Sequence, residues 1–235
     1  MILIGPIVDS GALAIGGVIG VLAGHVIPKR VKETLPLIFG VITIGMGTSL
    51  IDKASYMHVV VMALITGTFI GEMCKVEDGL ELAIRKSMRW SKTHGQSVDD
   101  GFIVQYITLI SAFCFGSMGI FGAINEGITG NPSILFTKAV LDLFSGIIFG
   151  ALLGIRVSLI AIPQFILLAS LYLSATAIMP CVTDSMLNDF TSTGGVIFLA
   201  TGLRLCGIKI FPVINMLPGM LLVLPLSYAW SMYFL

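Results

Sequence analysis

The residue in this sequence whose type and position demand a chemical explanation is Asp142, nine residues into an apolar run that starts at Ser133. At 1.5 Å per helical residue it lies about 14 Å along, near the middle of a bilayer if the run spans one. An aspartate there costs on the order of 3 kcal/mol, so it must face protein, a partner cation or water. Lys138 stands one turn earlier and Arg204 lies deep in a later apolar run. Two readings stay open: a buried ion pair with one of these bases, or a group that binds a cation or carries a coupling proton, with Arg204 or Lys138 as its alternating partner. Asn125 and Glu126 put an amide and a carboxylate together just before the turn residues Gly130, Asn131 and Pro132, as a cation site or a helix cap would. Asn215 lies between Pro212 and Pro218, and Gln164 follows Pro163. Each amide either lines a solute path beside a proline-broken helix or hydrogen-bonds a neighbouring helix. Asp9, only a few residues into the first apolar run, is a weaker candidate, because interfacial water makes its charge inexpensive there.

These side chains need elements to hold them, and the composition says which kind. Of 235 residues 56% are hydrophobic and 11% charged, with a mean hydropathy of +1.02. An ordinary soluble domain carries about 25% charged residues. Apolar runs of helical length fall at about Gly5–Ile27, Thr34–Ile51, Ser55–Met73, Phe102–Ile124, Ser133–Ile155, Val157–Met179, Thr193–Ile208 and Phe211–Leu235. They predict an all-α polytopic membrane protein of about eight transmembrane helices in a single domain, residues 1–235. The seventh run is short, and the eighth carries Pro212, Pro218 and Pro225, so either is a candidate for a broken or re-entrant helix. The first run has no basic leader before it and no clear cleavage site, which predicts a retained span.

Lys29, Arg30 and Lys32, then Lys75, Arg85, Lys86, Arg89 and Lys92, then Arg156 and Lys209, all follow odd-numbered runs. The positive-inside rule therefore predicts cytoplasmic basic loops and both termini outside. The polar stretch Cys74–Gly101 spaces Val76, Leu80, Ile84 and Met88 as an amphipathic helix and carries Trp90 as an interfacial anchor. It is either a connector on the membrane surface or a partner-docking segment. Glycines four apart, Gly16, Gly20 and Gly24 in the first run, Gly146, Gly150 and Gly154 in the fifth and Gly67 and Gly71 in the third, mark faces where backbones approach closely. Gly16-Gly17-Val18-Ile19 recurs as Gly194-Gly195-Val196-Ile197, a weak internal repeat.

The net formal charge is zero and the basic residues are scattered, so no nucleic-acid footprint is present. His25, His58 and His94 have no paired ligand at metal spacing, the four cysteines suggest neither a metal nor a disulfide framework, and no phosphate loop or nucleophile elbow occurs. The expectation is a protein without cofactor or metal, whose partners are the lipid bilayer and a small ion or solute. Glycine faces serve packing within a chain or between chains, so a homo-oligomer stays open.

Phe121-Gly122-Ala123-Ile124-Asn125-Glu126-Gly127, Asn131-Pro132-Ser133-Ile134-Leu135 and Lys138-Ala139-Val140-Leu141-Asp142 resemble the bacterial YqgA membrane-protein family, a domain of unknown function. So does Gly202-Leu203-Arg204-Leu205-Cys206-Gly207-Ile208-Lys209, continuing through Phe211 to Pro218. The resemblance covers the whole chain and implies a multi-spanning bacterial inner-membrane protein, with no catalytic residue to carry across. Gly219 stands where the family pattern continues with alanine, a change expected to loosen the last run.

The residues favour a secondary transporter or channel for a small ion or solute, with Asp142, Arg204, Lys138, Asn125, Glu126, Asn215 and Gln164 on its path. A membrane scaffold docking a partner through residues 74–101 is the alternative. An intramembrane enzyme, with Asp142, Asn125 and Glu126 as acid and base groups, is the remote third.

Overall fold

The computed structural model describes residues 3–23, 28–80, 82, 109–110, 113–114 and 117–233. Among these the chain forms nine α-helices and no strand: α1 (Ile4–Ala23), α2 (Lys29–Ile51), α3 (Met57–Cys74), α4 (Ser117–Thr129), α5 (Ser133–Leu153), α6 (Arg156–Leu159), α7 (Ala161–Ile178), α8 (Asp184–Leu205) and α9 (Val213–Tyr233). Helices suit such apolar runs because each satisfies its own backbone where water is absent. Among the described residues, five stretches are long and apolar enough to cross a membrane: α1, α3, α5, Arg156–Ile178 and α9. The apolar part of α2, Leu37–Ile51, is shorter. Part of the fourth expected span, and most of Cys74–Gly101 with Trp90, lie outside the described residues.

The seventh and eighth runs differ from their hydropathy reading. The seventh run marks only the later part of α8, whose 22 residues begin at Asp184 rather than Thr193. Its first turns are polar, Asp184 to Thr193, yet Asp189, Thr191, Ser192 and Thr193 are buried, so protein rather than lipid surrounds them. Hydropathy alone cannot see a helix whose polar turns are covered. In α9 the helix continues through Pro218 and Pro225.

The chain divides into two compact units, each assembled from separated segments: Met1–Lys32 with Asp78–Thr176, and Glu33–Glu77 with Ala177–Leu235. In the first, the glycine ladders of α1 and α5 meet. A Cβ on Gly16 would lie 2.3 Å from the Leu143 carbonyl oxygen, one on Gly20 2.2 Å from that of Ile147, and one on Gly150 2.5 Å from that of Gly17. No side chain fits at those distances, so the two backbones touch as the four-residue spacing predicts. Residue numbers rise together along both helices, so α1 and α5 run parallel. Leu13, Val157, Ile160, Leu109, Phe113 and Cys114 fill the space beside them.

In the second unit the same device joins antiparallel helices. Gly47 of α2 lies against Gly195 of α8, and Gly40 against Gly202 and Cys206. Gly67 and Gly71 of α3 lie against Gly219 and Asn215 of α9. The recurring Gly-Gly-Val-Ile therefore supplies a contact face in each unit. Gly219 is buried within the continuous helix α9. It sits where α3 comes closest, a Cβ on Gly67 falling 2.2 Å from its amide nitrogen.

Candidate functional site

Asp9, Leu13, Gly16 and Gly20 share one face of α1, and Lys138, Asp142, Gly146 and Gly150 share one face of α5. When the glycine faces pack in parallel, the polar residues preceding them must meet. Lys138 Nζ donates to Asp9 Oδ2 at 2.8 Å and also to Asp142 Oδ2. From α7, Gln164 Nε2 donates to the same two oxygens, at 2.7 Å to Asp9 and 2.8 Å to Asp142. All four residues are buried, Asp9 and Gln164 completely. Gly119 of α4 leaves room for the lysine stem, a Cβ there falling 3.1 Å from Lys138 Cε.

With both carboxyls ionised and the amine protonated, the formal charge of this cluster is a single negative one. Its hydrogen bonding is also incomplete. Asp9 Oδ1 and Gln164 Oε1 are buried with no partner, as is the neighbouring hydroxyl Ser10 Oγ. The amide orientation follows from chemistry: two carboxylate oxygens require donors, so Nε2 faces them and Oε1 is left over.

The remaining sequence candidates lie elsewhere. Glu126 is buried and its Oε1 accepts the Gly5 amide at 3.1 Å, tying α4 to the start of α1. A Cβ on Gly5 would fall 2.0 Å from Glu126 Oε2, so only glycine admits the carboxylate. Asn125 reaches Thr129 within its own helix at 3.5 Å. Arg204 is not deep in a span but in the last turn of α8, half-exposed, donating from Nη1 to Glu77 Oε1 at 2.8 Å and to the Phe211 carbonyl at 3.0 Å. Asn215 sits in the first turn of α9, where its Oδ1 accepts the Glu77 amide at 2.8 Å. The structure thus joins Lys138, Asp142 and Gln164 into one cluster and gives Asn125, Glu126, Arg204 and Asn215 other partners.

Two residues mattered more than their sequence context suggested. Asp9 is wholly buried at the centre of the cluster rather than solvated at an interface. The available signal was its position one turn before Leu13 and two before Gly16, on the contact face. Asp189, which no sequence motif singles out, is completely buried in the second unit. Its Oδ1 accepts the amides of Ser55 and Tyr56 at 2.9 and 2.8 Å, and its Oδ2 accepts the Ser227 hydroxyl at 2.7 Å. It therefore holds the N-terminus of α3, where backbone amides favour a negative charge.

Residues 4–228 match the family described as a protein of unknown function (DUF554). This chain belongs to that family. Among its relatives is a protein of Escherichia coli named uncharacterized protein YqgA, 43% identical over 98% of this chain and 99% of the relative. Another is an uncharacterized membrane protein, YdfK of Bacillus subtilis, 24% identical over 93% of each. No solved structure matches. Five apolar helices of spanning length and a membrane-protein relative support reading this DUF554 member as a membrane protein.

Proposed function

We propose that the chain is a secondary transporter or channel for a small ion or solute in the bacterial inner membrane, with its basic loops cytoplasmic and its termini periplasmic. The Asp9, Lys138, Asp142 and Gln164 cluster carries the reading. A purely structural ion pair in a low-dielectric interior is expected to balance its charges and satisfy its polar atoms, because each departure costs free energy. This cluster does neither, and ionisable groups at such depth are typical of ion and proton pathways. Lys138 can release one carboxylate while keeping the other, so the site can exchange a charge without exposing an unpaired ammonium.

The test is charge movement by proteoliposomes on a solid-supported membrane, challenged with cations, anions, organic acids and pH steps. Wild type is expected to give a ligand-dependent current that Asp142→Asn abolishes while eluting as a folded species. Silence from folded wild-type protein across the panel, with no uptake of labelled solutes by the same liposomes, would sink the reading.

A further inference from the structure

The net charge and the unpartnered atoms together suggest what the site holds. We infer that the Asp9 and Asp142 pair binds one exchangeable proton, with Lys138 remaining as the fixed cation between them. This deepens the transporter reading by naming its coupling ion, although the proton site can be measured without transport.

Neutralising the cluster takes one positive charge. A hard metal cation takes about six or more oxygen ligands. Among the described residues, the cluster's buried side-chain oxygens without a partner are Asp9 Oδ1 and Gln164 Oε1, fewer than such a cation needs. The Asp9 and Asp142 Oδ2 atoms are already occupied by two donors each. A proton needs a single acceptor lone pair, and Asp9 Oδ1 is a buried carboxylate oxygen that lacks a donor. Protonation adds one proton from water to the carboxylate pair, cancels the net charge and leaves Lys138 bridging to whichever carboxylate stays ionised. Because the two carboxylates share donors, the proton belongs to the pair rather than to one residue.

Among the described residues, the groups that face this pair are few. α1 contributes Asp9, and α5 contributes Lys138 and Asp142. α7 contributes Gln164, which does not titrate, and α4 contributes Gly119 against the lysine stem. The buried thiol of Cys114 lies within electrostatic reach of Lys138 and Asp142. Glu126 is engaged with the Gly5 amide, and Arg156 at the start of α6 is exposed.

Infrared difference spectroscopy of the purified protein in nanodiscs, titrated from acid to alkaline pH, reads the protonated carboxyl directly. The expected result is one buried carboxyl band that shifts with 13C-aspartate labelling, which separates it from Glu126. Asp9→Asn and Asp142→Asn should each lose it, since either change already neutralises the cluster. A labelled band that survives in both Asn variants, no band at any pH in folded wild type, or loss of the band when sodium is added at fixed pH would each overturn the proposal. Wild type alone decides the question if a variant fails to fold. Silent liposomes with the band intact would count against transport and leave the proton site standing. Currents without the band would do the reverse.

Discussion

Each unit buries an aspartate in a glycine-bearing helix, and the two are held in opposite ways. Asp189 accepts two backbone amides at the start of α3 and the Ser227 hydroxyl, so both its oxygens are used and none of its donors can titrate. Asp9 and Asp142 rest on the ends of two side chains, an ammonium and an amide, and Asp9 keeps one oxygen unpartnered. Backbone donors are fixed by the fold and hold a carboxylate in place, whereas side-chain donors can turn away from it. The kind of donor, more than the depth of the acid, distinguishes Asp189 from the pair to which we assign an exchangeable proton.

The comparison is tested most severely by charge-removing, shape-keeping changes. Asp142→Asn should reduce liposome currents to the level of empty vesicles with little change in thermal unfolding. Asp189→Asn should leave both nearly intact, because its side-chain oxygen still accepts the amides. A current that survives the first change, or vanishes with the second in a folded protein, would erase the distinction. Asp189→Ala should instead lower stability by about 1 to 2 kcal/mol, since it leaves the part-buried Ser55 and Tyr56 amides and the Ser227 hydroxyl without their acceptor. Thermal unfolding in detergent measures this, and an unchanged midpoint would mean the cap is unimportant.

The packing behind each site can be probed in the same assay. Gly20→Ala forces a methyl to within 2.2 Å of the Ile147 carbonyl and should cost about 2 kcal/mol through backbone displacement. Gly45→Ala in α2 meets nothing within 4 Å and should be neutral or stabilise by up to about 1 kcal/mol through helix propensity. Equal effects would show that glycine is not selected for contact at the first position. The smallest effect is expected at Arg204→Gln. Its pair with Glu77 is 41% exposed on the arginine side and should contribute less than about 1 kcal/mol. A larger loss of stability would assign the α8 end a role this comparison gives it no reason to have.

The sequence made several features legible because they are local. Helical class and the positions of α1, α3, α5 and α9 follow from apolar length. The contact faces follow from glycines four apart, and the nearness of Lys138 to Asp142 follows from one helical turn, although Arg204 stayed open as its partner. What it left undecided involves residues far apart along the chain. Gly16 needed a partner face, and only the fold shows it to be Leu143 and Ile147 of α5. Asp9 looked solvated until that parallel contact carried it to Lys138, 129 positions away. Arg204 found Glu77 rather than Asp142, and Asn215 found the Glu77 amide. Asp189 became a helix cap through amides more than 130 positions distant. Periodicity reports which side of a helix is suited to contact. Only the packed chain determines what lies opposite, because that depends on how separate helices fit together.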